Sequence, residues 1–223
     1  MKPGRSQAKS VRVPANKGRQ LKQSVLTPTE FERILRLCSL RAPTGIRNRA
    51  LLGVMYRGGL RIGEALALMP GDFDQASGEL RINTTKRVRI GGKVASVERP
   101  RTVALDSDFV AVLMRWIDRR RQLGINGGKP IFCTLKGSPI STSYARTVLP
   151  RLAQRAGIEK RVSPHTLRHS FAYEWARAGR PLPALMLALG HSQLTTTARY
   201  VAHFGTPEVL SLMRASRWEG GPI

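Results

Sequence analysis

The sequence predicts an α+β fold that is mainly helical and contains one small antiparallel sheet. Apolar residues recur at helical spacing through most of the chain. Residues 79–105 instead alternate apolar and polar residues around Gly91-Gly92, which is typical of a β-hairpin. The chain has 223 residues, of which 41% are apolar, so a core of ordinary size can form. We therefore expect a folded domain rather than a disordered chain.

The charge balance is strongly basic and predicts a polyanionic partner. There are 38 Lys and Arg against 14 Asp and Glu, a formal net charge of +24. No apolar run reaches the roughly 18 residues of a membrane span, and residues 1–10 lack a signal-peptide pattern. Cys38 and Cys133 are far apart and form no CxxC motif. We expect a cytoplasmic, nucleoid-associated protein with no membrane partner, no disulfide and no structural zinc.

The composition divides the chain into three parts. Residues 1–25 contain seven basic residues and no acidic ones, which predicts a mobile basic arm. The alternative is a solvated tail without a role. Residues 26–216 form the predicted folded domain, and residues 217–223 are a C-terminal tail.

The first predicted elements are three helices. Thr27-Pro28-Thr29-Glu30 combines a capping hydroxyl, a proline at the first helical position and a glutamate three residues after the cap, so a helix begins there. A second helix is expected from about Arg47 to Tyr56 and ends at Gly58-Gly59. A short third helix follows at residues 63–68.

After the hairpin the pattern becomes helical again. A helix is predicted at residues 108–123, followed by a short buried strand at Ile131-Phe132-Cys133. Further helices are expected at about residues 141–156, 164–178, 182–189, 192–202 and 207–216.

The segment Ser163-Pro164-His165-Thr166-Leu167-Arg168-His169 predicts a helix start with two functional side chains on one face. His165 and Arg168 are three residues apart, where free backbone amides and directed donors suit a phosphate. The structural alternative is a core or capping histidine beside a surface arginine. Metal binding is disfavoured, because no HExxH glutamate is present and Arg168 would repel a cation.

A second candidate is Arg61, which lies between the apolar residues Leu60 and Ile62. A guanidinium suits a partly enclosed oxyanion, because its donors form a fixed fork and its charge survives burial. The alternative is an ion pair with Glu64. Both can hold, since a carboxylate can orient the guanidinium.

The third candidate region contains His191 and Tyr200. Gly190 and Ser192 mark a junction between two helices, so His191 can face a cleft. A phenol can attack phosphorus, but with an ordinary pKa near 10 Tyr200 needs a base or a cationic pocket. The alternative for Tyr200 is a packed aromatic side chain.

Together these motifs resemble those of the tyrosine recombinases, also called the phage integrase family. The resemblance covers about residues 26–215 and implies the catalytic-domain fold of that family. It is carried by Arg61 in GLRIGE, His165 and Arg168 in HTLRH, His191 in LGHS and Tyr200 in TTTARY.

The resemblance implies a role for each residue. Arg61 and Arg168 would hold the non-bridging oxygens of a scissile DNA phosphate. His165 would be the general base for Tyr200, and His191 would donate a hydrogen bond to the phosphate. Tyr200 would attack, leaving a 3′-phosphotyrosyl link and a free 5′-hydroxyl.

The family also uses a hairpin lysine as general acid, for which Lys86 matches best and Lys93 is the rival. Glu64 matches a carboxylate with an orienting role. Because the covalent link retains the phosphodiester energy, the resemblance implies no cofactor and no metal.

The implied partner is double-stranded DNA, bound by a homo-tetramer on paired sites for integration, excision or resolution of a mobile element. Residues 207–216 would dock into a neighbouring subunit, or else pack on their own. Members commonly carry a helical domain before the catalytic part, where this chain has the basic arm, and His203 lies three residues beyond Tyr200 rather than two. An accessory DNA-binding protein is a further candidate partner.

Three other function classes stay open on the residues alone. They are a type IB topoisomerase, a non-catalytic DNA-binding protein of the same fold, and an RNA-binding protein, although the last gives no reason for four ordered motifs. Phosphate contacts along the DNA backbone are expected from the hairpin cations Lys86, Arg87, Arg89, Lys93, Arg99 and Arg101.

Overall fold

The computed structural model describes residues 24–90 and 93–191, with the side chains of residues 84–99 outside that description. The described ranges contain helices α1 to α7, strands β1 to β3 and a short 3-10 helix at Pro70–Asp72. In chain order these are α1 (Pro28–Arg36), α2 (Pro43–Arg57), α3 (Ile62–Ala67), β1 (Phe73–Asp74), β2 (Glu79–Ile90), β3 (Lys93–Ala104), α4 (Ser107–Gln122), α5 (Thr142–Arg155), α6 (Pro164–Arg177) and α7 (Leu182–Leu189).

Helix α1 begins where its capping sequence predicts. The Thr27 amide donates to the Glu30 carboxylate at 2.7 Å, and the Glu30 amide donates to the Thr27 hydroxyl at 3.2 Å. These bonds satisfy amide donors that a helix start leaves without an intrahelical partner. The helix then buries Phe31, Ile34 and Leu35.

Helix α2 is the central helix and begins at Pro43, four residues before the predicted start. Its N-cap is Ala42, which makes no side-chain cap, so the local signal for this start is weak. Residues 50–56 are all buried, as expected of a helix surrounded by protein. Even Arg47 is buried, and it donates to the Cys133 carbonyl and the Tyr144 hydroxyl.

The sheet is antiparallel with strand order β1-β2-β3, which confirms the predicted hairpin. The strands β2 and β3 pair continuously, from Glu79 opposite Ala104 to Ile90 opposite Lys93. In this register Lys86 lies opposite Val97, and Ile82 lies opposite Arg101.

The predicted strand at Ile131-Phe132-Cys133 is wrong, although all three residues are buried. Only an isolated bridge joins Cys133 to Pro139. The Ile131 amide donates to the Leu68 carbonyl, and the Ile131 carbonyl accepts from the Trp116 indole. Because these groups are already bonded to a loop and a side chain, they cannot extend a strand ladder.

The remaining described helices match their predicted ranges within one residue. Helix α7 packs on α6 through a small cluster of Ala172, Leu185 and Leu189. This packing brings the end of α7 close to the first turns of α6. The predicted helices at 192–202 and 207–216 lie outside the described residues. Within residues 24–90 and 93–191, no helix is both long enough and apolar enough to cross a membrane.

Candidate active site

Arg61 is held at the N-cap of α3, directly after a glycine turn. Gly59 adopts a φ of +62°, a left-handed conformation that favours glycine. The Arg61 amide donates to Glu64 Oε2, and its guanidinium donates to Glu64 Oε1, both at 2.8 Å. The predicted ion pair is therefore present, yet 39% of the Arg61 side chain is exposed to solvent.

Glu64 is a buried carboxylate between two arginines. Its side chain is 6% exposed, and its oxygens also accept from Arg101 Nη2 at 2.7 Å and Arg101 Nη1 at 3.2 Å. Burial alone would raise the pKa of Glu64, but the hydrogen bonds and charge of Arg101 and the donors of Arg61 outweigh it. The pKa therefore falls from its ordinary 4.5 to about 2, and Glu64 is ionised at neutral pH.

Arg168 projects from α6 into the same cluster and is almost fully buried, with 5% of its side chain exposed. It donates to the Gly59 carbonyl at 2.7 Å and to the Leu189 carbonyl at 2.5 Å. Its Nη1 lies 3.9 Å from Glu64 Oε2. Arg168 thus joins the turn before Arg61 to the end of α7.

His191 follows the C-terminal turn of α7, and its backbone position is fixed by hydrogen bonds. The His191 amide donates to the Met186 carbonyl and the Gly190 amide to the Leu187 carbonyl, both at 3.0 Å. With Gly190 at a φ of +64°, this is a Schellman motif. The motif holds the His191 backbone beside the arginine cluster.

The His191 imidazole is neutral near pH 7 and its tautomer follows from its neighbour. Burial, and then the charges of Arg168, Arg61 and Arg101, lower the pKa of His191 from 6.5 to about 4. Its Nε2 lies 3.1 Å from Arg168 Nη2. A guanidinium can only donate, so Nε2 accepts and the proton is on Nδ1.

His165 lies in the first turn of α6 and is exposed to solvent. Its ring centroid is 6.4 Å from that of His169. At the N-terminus of this helix, the Ser163 amide donates to the Thr166 hydroxyl at 3.0 Å. The prediction that His165 and Arg168 share one face of this helix is wrong, because His165 is exposed to solvent whereas Arg168 is buried in the interior. Among the described residues there is no group of three or more His, Cys, Asp or Glu that could hold a metal ion.

Three predicted site residues are not located by side chain. Lys86 and Lys93 lie on the paired strands β2 and β3, but their side chains are outside the description, so the choice between them stays a prediction. Tyr200 lies outside the described residues, as does His203.

Arg101 is the site residue that the sequence interpretation misplaced. It was expected to contact the DNA backbone, but only 8% of its side chain is exposed, and it binds Glu64 and the Ala188 carbonyl. The strand alternation could have located it, because Arg101, Val103 and Leu105 share one face and the other two are buried.

The arrangement is suited to binding an anion. Three guanidiniums surround one ionised carboxylate, and the neighbouring imidazole is neutral, which leaves the cluster with a charge of +2. Among these three guanidiniums, that of Arg61 is the one exposed to solvent at the edge of the cluster. Preorganised donors of this kind stabilise negative charge that develops during a reaction.

Comparison with known proteins identifies the family of the chain. Residues 24–206 match the model of the phage integrase family. The tyrosine recombinase XerC of Pelotomaculum thermopropionicum is 33% identical over 177 residues, which are 77% of this chain and 54% of that protein. The chain spans little more than half the length of the curated relatives it matches.

Solved structures share the fold. The crystal structure of XerA recombinase aligns with a TM-score of 0.72 at 25% identity, covering 94% of this chain and 71% of that one. The XerH site-specific recombinase bound to a palindromic difH substrate aligns with a TM-score of 0.67 at 26% identity, covering 86% and 52%. Because the family model matches most of the chain, including every described residue, this protein belongs to the phage integrase family of tyrosine recombinases.

Proposed function

We propose that the chain is a site-specific DNA recombinase that breaks and rejoins DNA through Tyr200, in the integration, excision or resolution of a mobile element. One observation carries the proposal. Arg61, Arg168 and His191 are far apart in sequence but meet around Glu64, with the Arg61 guanidinium exposed at the edge. This is a site for a single phosphate group that is approached from solvent.

The proposed reaction is a phosphoryl transfer with balanced proton movements. The Tyr200 phenol loses its proton to His165 and its oxygen bonds to phosphorus. The bond from phosphorus to the 5′-oxygen breaks, and that oxygen takes a proton from Lys86, or from Lys93 in the rival assignment. Arg61 and Arg168 stabilise the added negative charge. A 5′-hydroxyl of another strand then reverses these steps and releases Tyr200.

Double-stranded DNA is the proposed partner. The XerH relative was solved with its difH DNA substrate, and the net charge of +24 fits a polyanion. The homo-tetramer on paired sites belongs to the same proposal, as does the division into a basic arm at 1–25, a catalytic domain at 26–216 and a tail at 217–223. Burial of Leu26 supports its place within the folded domain.

The test is covalent trapping of DNA on the full chain. The protein is incubated with a library of nicked duplexes of randomised sequence, in which the short strand released by cleavage diffuses away. Denaturation and sequencing then recover the attached DNA, and mass spectrometry maps the modified residue. We expect a recurrent sequence joined through its 3′-phosphate to Tyr200.

Two tyrosine variants make the result specific. Tyr200→Phe should abolish the adduct and leave DNA binding intact, whereas Tyr173→Phe, on α6, should leave both unchanged. Absence of any adduct, or an adduct on another residue, would contradict the proposal. Adducts without sequence preference, together with relaxation of a supercoiled plasmid, would favour a type IB topoisomerase.

A further inference from the structure

Arg101 makes hydrogen bonds to two separate parts of the site. From β3 its Nη1 and Nη2 donate to both oxygens of Glu64, and its Nε donates to the Ala188 carbonyl on α7 at 2.8 Å. The planar guanidinium therefore bridges the carboxylate that holds Arg61 and the helix end that precedes His191.

The contact with α7 completes the hydrogen bonding of that helix end. The last carbonyls of a helix have no intrahelical partner. Here the Schellman motif satisfies the Met186 and Leu187 carbonyls. Arg101 donates to the Ala188 carbonyl and Arg168 donates to the Leu189 carbonyl. The two arginines thus fix the turn from which His191 projects.

The packing around Arg101 leaves little freedom for this arrangement. A Cβ atom added to Gly190 would lie 3.2 Å from Arg101 Cδ and 3.3 Å from its Nη1. The absence of a side chain at Gly190 thus lets the guanidinium lie against the turn. Since Arg101 is 8% exposed, this geometry is enclosed by protein.

We propose that Arg101 is a positioning residue for the cleavage reaction, which sets Arg61 through Glu64 and sets His191 through the Ala188 carbonyl. The inference rests on the proposed function. Arg101 does not contact the phosphate. It holds Glu64 and the end of α7 in place, so that Arg61 and His191 reach the scissile phosphate in one fixed geometry.

The bridge requires the shape of arginine as well as its charge. The fork spans both carboxylate oxygens while Nε reaches a third acceptor, whereas a lysine ammonium is a compact point charge. Arg101→Lys therefore keeps the charge but cannot hold both partners in the same way. Arg101→Gln removes the charge too.

The kinetic test uses single-turnover cleavage of the sequence recovered by covalent trapping. Arg101→Gln is expected to bind DNA within about twofold of wild type and to cleave about 100-fold more slowly, the scale of a misplacement of about 1 Å. Arg101→Lys should restore only part of the rate. The matched control is Arg81→Gln on β2, where an exposed arginine donates to the Gly71 carbonyl; it should cleave as wild type does.

A substrate with altered charge separates positioning from general structural damage. When a methyl group replaces one non-bridging oxygen of the scissile phosphate, less charge needs to be stabilised. The rate loss of Arg101→Gln should then shrink, as should that of Arg61→Gln. An equal loss on both substrates would overturn the proposal.

A second measurement needs no DNA and stays valid if the proposed function fails. Nitrogen-15 NMR of the free protein should show His191 as the Nδ1-protonated tautomer in wild type and Arg81→Gln. It should show a mixture of tautomers in Arg101→Gln, or in Arg101→Lys if the glutamine variant does not fold. A folded Arg101 variant with an unchanged His191 spectrum and normal cleavage would overturn the inference. If wild type cleaves no DNA but the Arg101 variant still changes the His191 spectrum, the proposed function is overturned, while the positioning of His191 by Arg101 is supported.

Discussion

Glu64 carries the negative charge around which the arginines of the site gather. An ion-paired carboxylate at 6% exposure is costly to disturb, because removing one partner leaves buried charge without compensation. Here the carboxylate faces Arg61, Arg101 and Arg168, so its loss would bring three like charges together. Glu64 therefore stabilises the fold as well as the geometry of the site.

The lowered pKa of Glu64 predicts how stability depends on pH. The unfolded chain takes up the proton near pH 4.5 and the folded chain only near pH 2, so this contribution is complete above about pH 4.5 and is lost as the pH falls to 2. A shift of that size corresponds to about 3 kcal/mol. Urea unfolding of wild type and Glu64→Gln at several pH values should show the wild-type advantage shrinking through this window. Parallel curves would contradict it.

Candidate site residues can be selected from the sequence where a side chain stands out against its neighbours. Arg61 between two apolar residues and His191 at a helix junction are visible in this way, and the structure brings both to one cluster. Arg101 was not visible, because it lies among many hairpin cations and its two partners come from distant parts of the chain. Only the strand alternation hinted at its burial.

At the scale of elements, the end of α7 is the part of the fold that positions His191. This end has the same hydrogen-bond pattern as the end of α4, where Gly124 at φ +71° donates to the Arg121 carbonyl and Ile125 donates to the Arg120 carbonyl. The two ends differ in what surrounds the glycine. No atom lies within 4 Å of a Cβ added to Gly124, whereas one added to Gly190 meets Arg101.

This difference predicts separate effects of two alanine substitutions. Gly190→Ala and Gly124→Ala both force an L-residue into a left-handed conformation, and each should lose about 1–2 kcal/mol of unfolding free energy. Only Gly190→Ala should also slow DNA cleavage, because it displaces the Arg101 guanidinium. Thermal melting and single-turnover cleavage of both variants provide the measurements. Equal cleavage rates in the two variants would show that the α7 turn does not control the site.

The boundaries of an element were predictable where the local sequence contains a capping residue. The start of α1 follows from Thr27 and Glu30, and the end of α7 follows from Gly190. The start of α2 was missed because Ala42 makes no side-chain cap. The strand at 131–133 was wrong because burial there comes from contacts with Leu68 and Trp116, which no local pattern contains.

At the scale of the whole molecule, the charge of +24 divides into structural and exposed parts. Arg47 and Arg120 are buried away from the candidate site, and each donates to a backbone carbonyl of another segment. These cations hold the fold together and are not placed to meet DNA phosphates from the surface. The charge count of the sequence predicts a polyanionic partner, but it cannot separate buried from exposed cations, because burial depends on the tertiary packing.

The seven cations of residues 1–25 predict how DNA binding depends on salt. The test is a truncated protein that lacks residues 1–23. Ser24 and Leu26 are kept because the Ser24 hydroxyl donates to the Arg161 carbonyl and the Leu26 amide donates to the Ser170 hydroxyl, which attaches this segment to the domain. Seven cations at about 0.9 each would lower the slope of log Kd against log salt by at most about 6. Replacing the seven cations by glutamine should lower the salt slope as much as the truncation does. Replacing each lysine among them by arginine keeps the charge and should preserve the slope. If the truncated protein binds duplex DNA with the wild-type slope, the arm makes no phosphate contacts and the domain alone supplies the affinity.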